Sequence, residues 1–417
     1  MPAHTVVCHE CDQVVAVPFL IEGQQARCPR CDHVLAQLPK YPMQRPLVYA
    51  LTSLIMLLCA NLLPFLAINA RGVGSSMNLF EAAGVIFSED YRVLAMGIYL
   101  CMQLLPACCL LMVVWIYAGF HHWAVPPGAR SMARWLFRLQ PWTMTEVFMV
   151  GVLVSLIKIA SLADIRIGAG FWCFCLFSLM YLKSMMHLDR DWLWTRLAGP
   201  CPPLPLQAGQ GALAQGATLC HGCHGVVASA AGHCPRCGAR VHARIPRSQE
   251  HTFALLIAAC LLYLPANLLP IMVTESLGSD TYSTILGGVV LLWHMGSYPV
   301  ALVIFVASVM VPITKIIALF WLCWTVQRGE PHHRFGRTRL YRVTEFIGRW
   351  SMVDVFVVAV LAALIRMGKL MSIYPGAAAM AFGGVVVVTM LAAMSFDPRL
   401  IWDHSVSDKE PSHEHTL

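Results

Sequence analysis

Eight of the chain's 17 cysteines fall in four Cys-x-x-Cys pairs: Cys8/Cys11, Cys28/Cys31, Cys220/Cys223 and Cys234/Cys237. Two such pairs brought together offer four thiolates, the set that tetrahedral Zn²⁺ prefers, with each tight knuckle supplying two ligands. Sixteen residues separate the first two pairs and ten the second two. His221, His224 and His233 stand near enough to substitute as ligands, but four cysteines already complete a site. Structural zinc is one reading of these pairs and thiol redox chemistry is its competitor. The other nine cysteines are scattered, most of them in apolar runs where Cys behaves as a small hydrophobe. Metal-binding pairs persist as thiols in a reducing compartment, so the polar segments that hold them are expected in the cytoplasm.

A second kind of chemistry sits in an apolar stretch. Phe305–Phe320 is hydrophobic enough to be buried in a membrane, yet it carries Pro312 and Lys315. A lysine near the bilayer centre costs at least ~2.5–3.5 kcal/mol, so it should face a partner or a wet cavity. The alternative is snorkelling to an interface. The expected span end at Thr325 is ten residues away, about 15 Å of helix. Ser308 lies two turns back on the same helix, Ser351 and Asp354 share a face of the next, and Thr389 sits in the last. Direct contact between Lys315 and Asp354 is strained, because side chains on antiparallel helices tilt apart; water or the hydroxyls can bridge them.

These residues need membrane helices to hold them. The chain has 417 residues, 58% hydrophobic and only 12% charged, about half the charged fraction of a soluble protein. Its mean hydropathy is +0.64. The fold expected is an all-α polytopic membrane protein. The opening 46 residues are polar and read as no signal peptide. Spans are expected at 47–70, 92–120, 144–163 and 169–187, with a loop carrying Arg130, Arg134 and Arg138 and a short turn at 164–168. Asn61 and Asn267 precede prolines, where an amide can serve a kinked backbone or contact a ligand. Lys158 and Arg366 stand toward outer helix ends and read as snorkelling.

The pattern then repeats. Ala-Asn-Leu-Leu-Pro at 60–64 returns at 266–270; Pro106 and Trp115 return as Pro312 and Trp321. Trp142, Met144, Glu146 and Lys158 return as Trp350, Met352, Asp354 and Arg366, and Asp189 and Trp194 as Asp397 and Trp402. The offset is 206 residues early in the repeat and 208 later. The first copy keeps Glu146 and the hydroxyl of Thr143 but has Cys109 where the second has Lys315.

The expected organisation is therefore two tandem parallel repeats of a small zinc ribbon plus four membrane helices, eight spans in all. The ribbons are 1–40 and 218–247, the membrane domains 47–187 and 252–395, the Pro/Gly-rich linker 188–217 and the tail 396–417. With both termini inside, 21 of the 29 Lys and Arg face the cytoplasm, 4 face outward and 4 lie in spans. Nucleic acid is not expected as a partner. The first ribbon is acidic on balance, and the arginines of the second (Arg236, Arg240, Arg244, Arg247) lead into the membrane and suit anionic lipid.

The duplicated ribbons ending in Cys-Pro-Arg-Cys, the two Ala-Asn-Leu-Leu-Pro segments, the Pro-Ile-Thr-Lys helix and Trp-Ser-Met-Val-Asp-Val-Phe at 350–356 together resemble the paraquat-inducible protein A family. The resemblance covers nearly the whole chain. It implies a multi-pass subunit of a Gram-negative inner membrane, working with an MCE-domain protein that forms a periplasmic tunnel, with phospholipid as cargo. It also implies that Ser308, Lys315, Ser351, Asp354 and Thr389 couple transport to protons. The ten-residue gap of the second ribbon is a departure. Two other functions stay open: a stand-alone proton-coupled exporter of amphipathic compounds, and a membrane-anchored zinc or thiol sensor. No nucleophile–base constellation appears, so no enzyme is expected.

Overall fold

The computed structural model of the chain describes residues 4–18, 20–21, 23–37, 40–70, 73–78, 96–97, 99–160, 164–276, 279–294, 296, 298–330, 333–364 and 371–403. The chain opens with a cysteine module of two hairpins, β1 (His4–Val7) with β2 (Val14–Val17) and β3 (Gln25–Arg27) with β4 (Val34–Gln37). The first membrane repeat holds α1 (Gln44–Leu62), β5 (Leu66–Ala70), β6 (Val73–Met77), α2 (Leu105–Gly119), α3 (Ala129–Leu139), α4 (Thr145–Ala160), β7 (Asp164–Ile167), α5 (Ala169–Met186) and α6 (Arg190–Ala198). A second module, with β8 (Ala217–Leu219) and β9 (Val226–Ala228), follows. The second repeat contains α7 (Ser248–Leu268), β10 (Met272–Ser276), β11 (Ser279–Ser283), α8 (Ile285–His294), α9 (Tyr298–Phe305) and α10 (Val311–Gln327). It ends with α11 (Arg334–Trp350), α12 (Val353–Leu364), β12 (Met371–Pro375), α13 (Ala377–Ser395) and α14 (Leu400–Asp403).

Seven described helical stretches are long and apolar enough to cross a membrane: Gln44–Leu62, Leu100–Gly119, Ala129–Ile157, Ala169–Met186, Ser248–Leu268, Ala301–Gln327 and Ala377–Asp403. The segment that answers the expected span 144–163 at the 208-residue offset contains α12, whose 12 residues cover about 18 Å. Residues 365–370, with Arg366, lie outside the described residues, as do the side chain of Lys158, residues 92–95 and the tail beyond 403.

Three features depart from the expected arrangement. The segment expected as an arginine loop forms α3, with Arg130, Arg134 and Arg138 spaced one turn apart along it. The turn expected at 164–168 is strand β7. It joins β5 and β6 in a three-stranded antiparallel sheet of order β6-β5-β7, and the second repeat builds the same sheet as β11-β10-β12. Leu66 pairs with Ile167 and Met272 with Pro375, the same register in both copies.

The Ala-Asn-Leu-Leu-Pro motif locks each sheet to its helices. The residue before a proline is driven out of the helical region. Leu63 (ψ 151°) and Leu269 (ψ 158°) accordingly cap α1 and α7 in extended conformation. The carbonyl of Pro64 accepts from Gly170 N–H at 3.0 Å, and that of Pro270 from Ala378 N–H at 3.2 Å. A Cβ on Gly168 would stand 2.0 Å from the Pro64 oxygen, and one on Gly376 2.1 Å from that of Pro270. Glycine is required there by close approach rather than by backbone angle. Asn61 and Asn267 each donate to the carbonyl four residues back, Leu57 (2.8 Å) and Tyr263 (2.9 Å).

Pro106 and Pro312 also act alike. Each stands at the start of its α-helix, where it lacks an N–H and crowds the carbonyl four residues back. Each helix therefore begins with a π turn, Leu100–Leu104 and Val306–Met310. The repeats meet through α4 and α12. Equivalent residues Phe148 and Phe356 stack edge-on at 5.6 Å, as a pseudo-two-fold axis requires. Gly151 lets the helices close, since a Cβ there would lie 3.0 Å from that of Phe356.

Candidate functional site

Each cysteine module is set by a repeated local geometry. In all four knuckles the first Cys carbonyl accepts from the N–H four residues on: Asp12, Asp32, His224 and Gly238. Those four residues have φ of 55–72°, the left-handed bend that turns the chain back and points both thiols inward. The Sγ atoms of Cys8 and Cys31 lie 3.4 Å apart, those of Cys11 and Cys28 3.5 Å, Cys220 and Cys237 3.5 Å, and Cys223 and Cys234 3.6 Å. With Zn–S bonds of about 2.3 Å, tetrahedral geometry places sulfurs ~3.8 Å apart, so both buried sets fit a metal ion. All eight are free thiols in the structure.

The modules dock crosswise. Arg30 and Arg236 occupy the same place in the two Cys-Pro-Arg-Cys knuckles. Arg236, of the second module, donates to the Asp191 carboxylate (2.8 Å) and to the carbonyls of Asp191 (3.0 Å) and Gly199 (3.1 Å), at α6 of the first repeat. Arg30, of the first module, lies 4.4 Å over the ring of Trp402 in α14 of the second repeat. Glu10 accepts from Arg342 on α11 and faces His33 at 3.1 Å. Burial opposes ionisation of Glu10, but His33 and Arg342 outweigh it and hold its carboxyl down to about 2.

Inside the second repeat, Lys315 is only 3% exposed. Its Nζ donates to Thr389 Oγ1 at 3.1 Å, while the Thr389 hydroxyl donates to the Val386 carbonyl. Gly348 of α11 makes room, for a Cβ there would stand 2.7 Å from Nζ. Ser308 is buried in the π turn and donates to Ile304 of its own helix. Ser351 is buried at the turn between α11 and α12. Asp354 is the second residue of α12, and its side chain lies outside what the structure describes. Among the described side chains of this cluster, Lys315 and Thr389 are thus the pair brought into contact.

The first repeat fills the equivalent place differently. Cys109 stands for Lys315 and is fully buried. Tyr181 stands for Thr389, and its hydroxyl donates to Thr143 Oγ1 at 2.8 Å. Continuing the 208-residue offset to position 389 yields Tyr181, a partner that attention to charged residues alone passes over. The first repeat also holds a cleft of about 500 Å³ between α1 and α2, which no pattern in the sequence announces. Asn61, Asn78, Tyr99 and Gln103 line it together with Leu57, Leu58, Leu104 and Ala107.

The family model described as paraquat-inducible protein A matches residues 43–198 and again 249–405, once per repeat. The chain is 46% identical over 416 residues to the intermembrane transport protein PqiA of Escherichia coli K12, covering 99% of this chain and 98% of that one. It is 29% identical to a probable intermembrane transport protein of Haemophilus influenzae, covering 98% of each. It is also 29% identical to the lipophilic envelope-spanning tunnel protein A of E. coli K12, covering 95% of this chain and 90% of the other. No solved structure matches. Both halves of this multi-pass membrane chain thus carry the family's pattern, and the protein belongs to the paraquat-inducible protein A family.

Proposed function

We propose that this chain is the inner-membrane subunit of a system that carries phospholipid between membranes, handing it to or taking it from a periplasmic MCE-domain tunnel. Eight spans, with both termini and both cysteine modules in the cytoplasm, follow from the even span number per repeat and the distribution of Lys and Arg. The modules hold two structural Zn²⁺ ions through Cys8, Cys11, Cys28, Cys31 and Cys220, Cys223, Cys234, Cys237. The names of the relatives, intermembrane transport and envelope-spanning tunnel, support the lipid-carrying role.

One observation carries the mechanism: a lysine ammonium buried inside a membrane repeat against a neutral hydroxyl. A cation so placed is held by no fixed counter-charge in that hydrogen bond, and its proton affinity changes when water reaches it. Lys315, with Asp354, Ser351, Ser308 and Thr389, therefore loads and releases a proton as the repeat opens and closes. The test is phospholipid transfer from membrane vesicles carrying the full chain and its partner, compared with Lys315→Ala. Transfer lost with unchanged expression and partner binding supports the reading; transfer at the wild-type rate contradicts it.

A further inference from the structure

We propose that the cleft between α1 and α2 of the first repeat is a binding site for one glycerophospholipid from the leaflet opposite the cysteine modules. Position is the first argument. Asn61 lies 17 residues along α1 from its module-side start at Gln44, about 26 Å of helix in a hydrocarbon core of about 30 Å. It therefore stands near the far-side boundary of the hydrocarbon, within reach of the glycerol and phosphate of a lipid in that leaflet.

Polarity along the cleft is the second. Asn61, Asn78, Tyr99 and Gln103 occupy its far-side end, while Leu57 and Ala107 lie one turn deeper toward the bilayer centre. That gradient matches a lipid standing in its own leaflet, with glycerol and phosphate at the amides and phenol and acyl chains beginning along the leucines. The volume of about 500 Å³ suits that part of the molecule, leaving the chain ends in the bilayer. None of the described lining residues is charged, so the amide N–H groups of Asn61 and Gln103 meet the phosphate and the site takes zwitterionic and anionic phospholipids alike.

The second repeat supplies the internal control. Leu57 becomes Tyr263, whose hydroxyl reaches across to the Val309 carbonyl at 3.4 Å and closes the gap between α7 and the π turn. Gln103 becomes Val309 and Tyr99 becomes Phe305, so two donor side chains are gone. Asn78 becomes Thr284, whose hydroxyl accepts from Gly287 N–H at the start of α8. The same backbone that leaves a cleft in one copy is plugged in the other.

This inference rests on the lipid-carrying function but is tested by binding. Phosphatidylethanolamine is titrated into the full-length protein in detergent, and bound lipid is counted by native mass spectrometry. One lipid per chain is expected, with L57Y reducing its occupancy at least tenfold and Q103V raising its apparent Kd about tenfold. Phosphatidylglycerol should bind within about threefold of phosphatidylethanolamine. A wild-type chain that binds no lipid, a Q103V chain that binds like wild type, or a tenfold preference for the anionic lipid overturns the site. Loss of the site in the binding experiment while vesicle transfer proceeds leaves the transport function standing; binding as expected without any transfer does the reverse.

Discussion

The two membrane repeats share their sheet register, their π turns and the helices that flank them, yet they differ where chemistry is possible. The first has a neutral cleft beside its π turn and a closed Cys109–Tyr181–Thr143 interior. The second has a tyrosine across the corresponding gap and a buried lysine bonded to Thr389. Duplication supplies two equivalent frames, and a few side chains then leave one with a neutral cleft and the other with a buried ionisable group. What keeps the frames equivalent is backbone chemistry: prolines that end or widen helices, and glycines that admit a carbonyl.

The frame itself is the place for the largest expected effect. Gly168→Ala and Gly376→Ala each force a Cβ to within about 2 Å of a proline carbonyl, so each should cost several kcal/mol and sharply lower the yield of folded protein. Equal losses from both would confirm that the copies are built alike; tolerance of either, read by size-exclusion profile and melting temperature, would break the equivalence.

Metal removal comes next. Cys28→Ser and Cys234→Ser should each cut bound zinc from about two to about one per chain and unfold the affected module, since binding free energy is also folding free energy there. Metal analysis of the purified variants checks this. A native protein without zinc, or with these cysteines in disulfides, contradicts it.

Much of this was open to inspection in the sequence because of periodicity. Offsets of 206 and 208 residues expose the duplication, and knuckle spacing exposes the metal sites. The helix α3 is also signalled, by Arg130, Arg134 and Arg138 at four-residue steps, a spacing that outweighs their resemblance to a charged loop. The sheets are not legible: β7 is four residues long and its partner β5 lies almost 100 residues earlier, so no local pattern marks the pairing. The crossed docking of the modules is harder still, since Glu10 and Arg342 are 332 residues apart. Nor does the sequence distinguish a cleft from a plug, because Leu57 and Tyr263 are equally natural on a membrane helix and only packing separates them.

Smaller effects sharpen the comparison at the docking arginines. Arg236→Ala leaves Asp191 and two carbonyls without their buried donor; water can solvate the exposed Asp191 carboxylate, so the loss is about 1.5–3 kcal/mol of docking stability. Arg30→Ala removes a stacking contact with Trp402 for which about 0.5–1 kcal/mol is typical at an exposed site. Protease susceptibility of residues 199–216 should rise strongly in the first variant and little in the second. Equal sensitivity would show that the crossed docking is energetically symmetric despite its different chemistry.

Glu146→Gln should have the mildest effect on transport, because its repeat carries Cys109 where the other carries Lys315. The claim that the ionisable function belongs to the second repeat alone is tested most directly by measuring phospholipid transfer in membrane vesicles under an imposed pH gradient, for wild type, Lys315→Ala and Glu146→Gln side by side. The gradient should accelerate transfer in wild type and Glu146→Gln, and Lys315→Ala should abolish the response with its bound zinc intact. A gradient response that survives Lys315→Ala, or that is lost equally in Glu146→Gln, would contradict the division between the repeats.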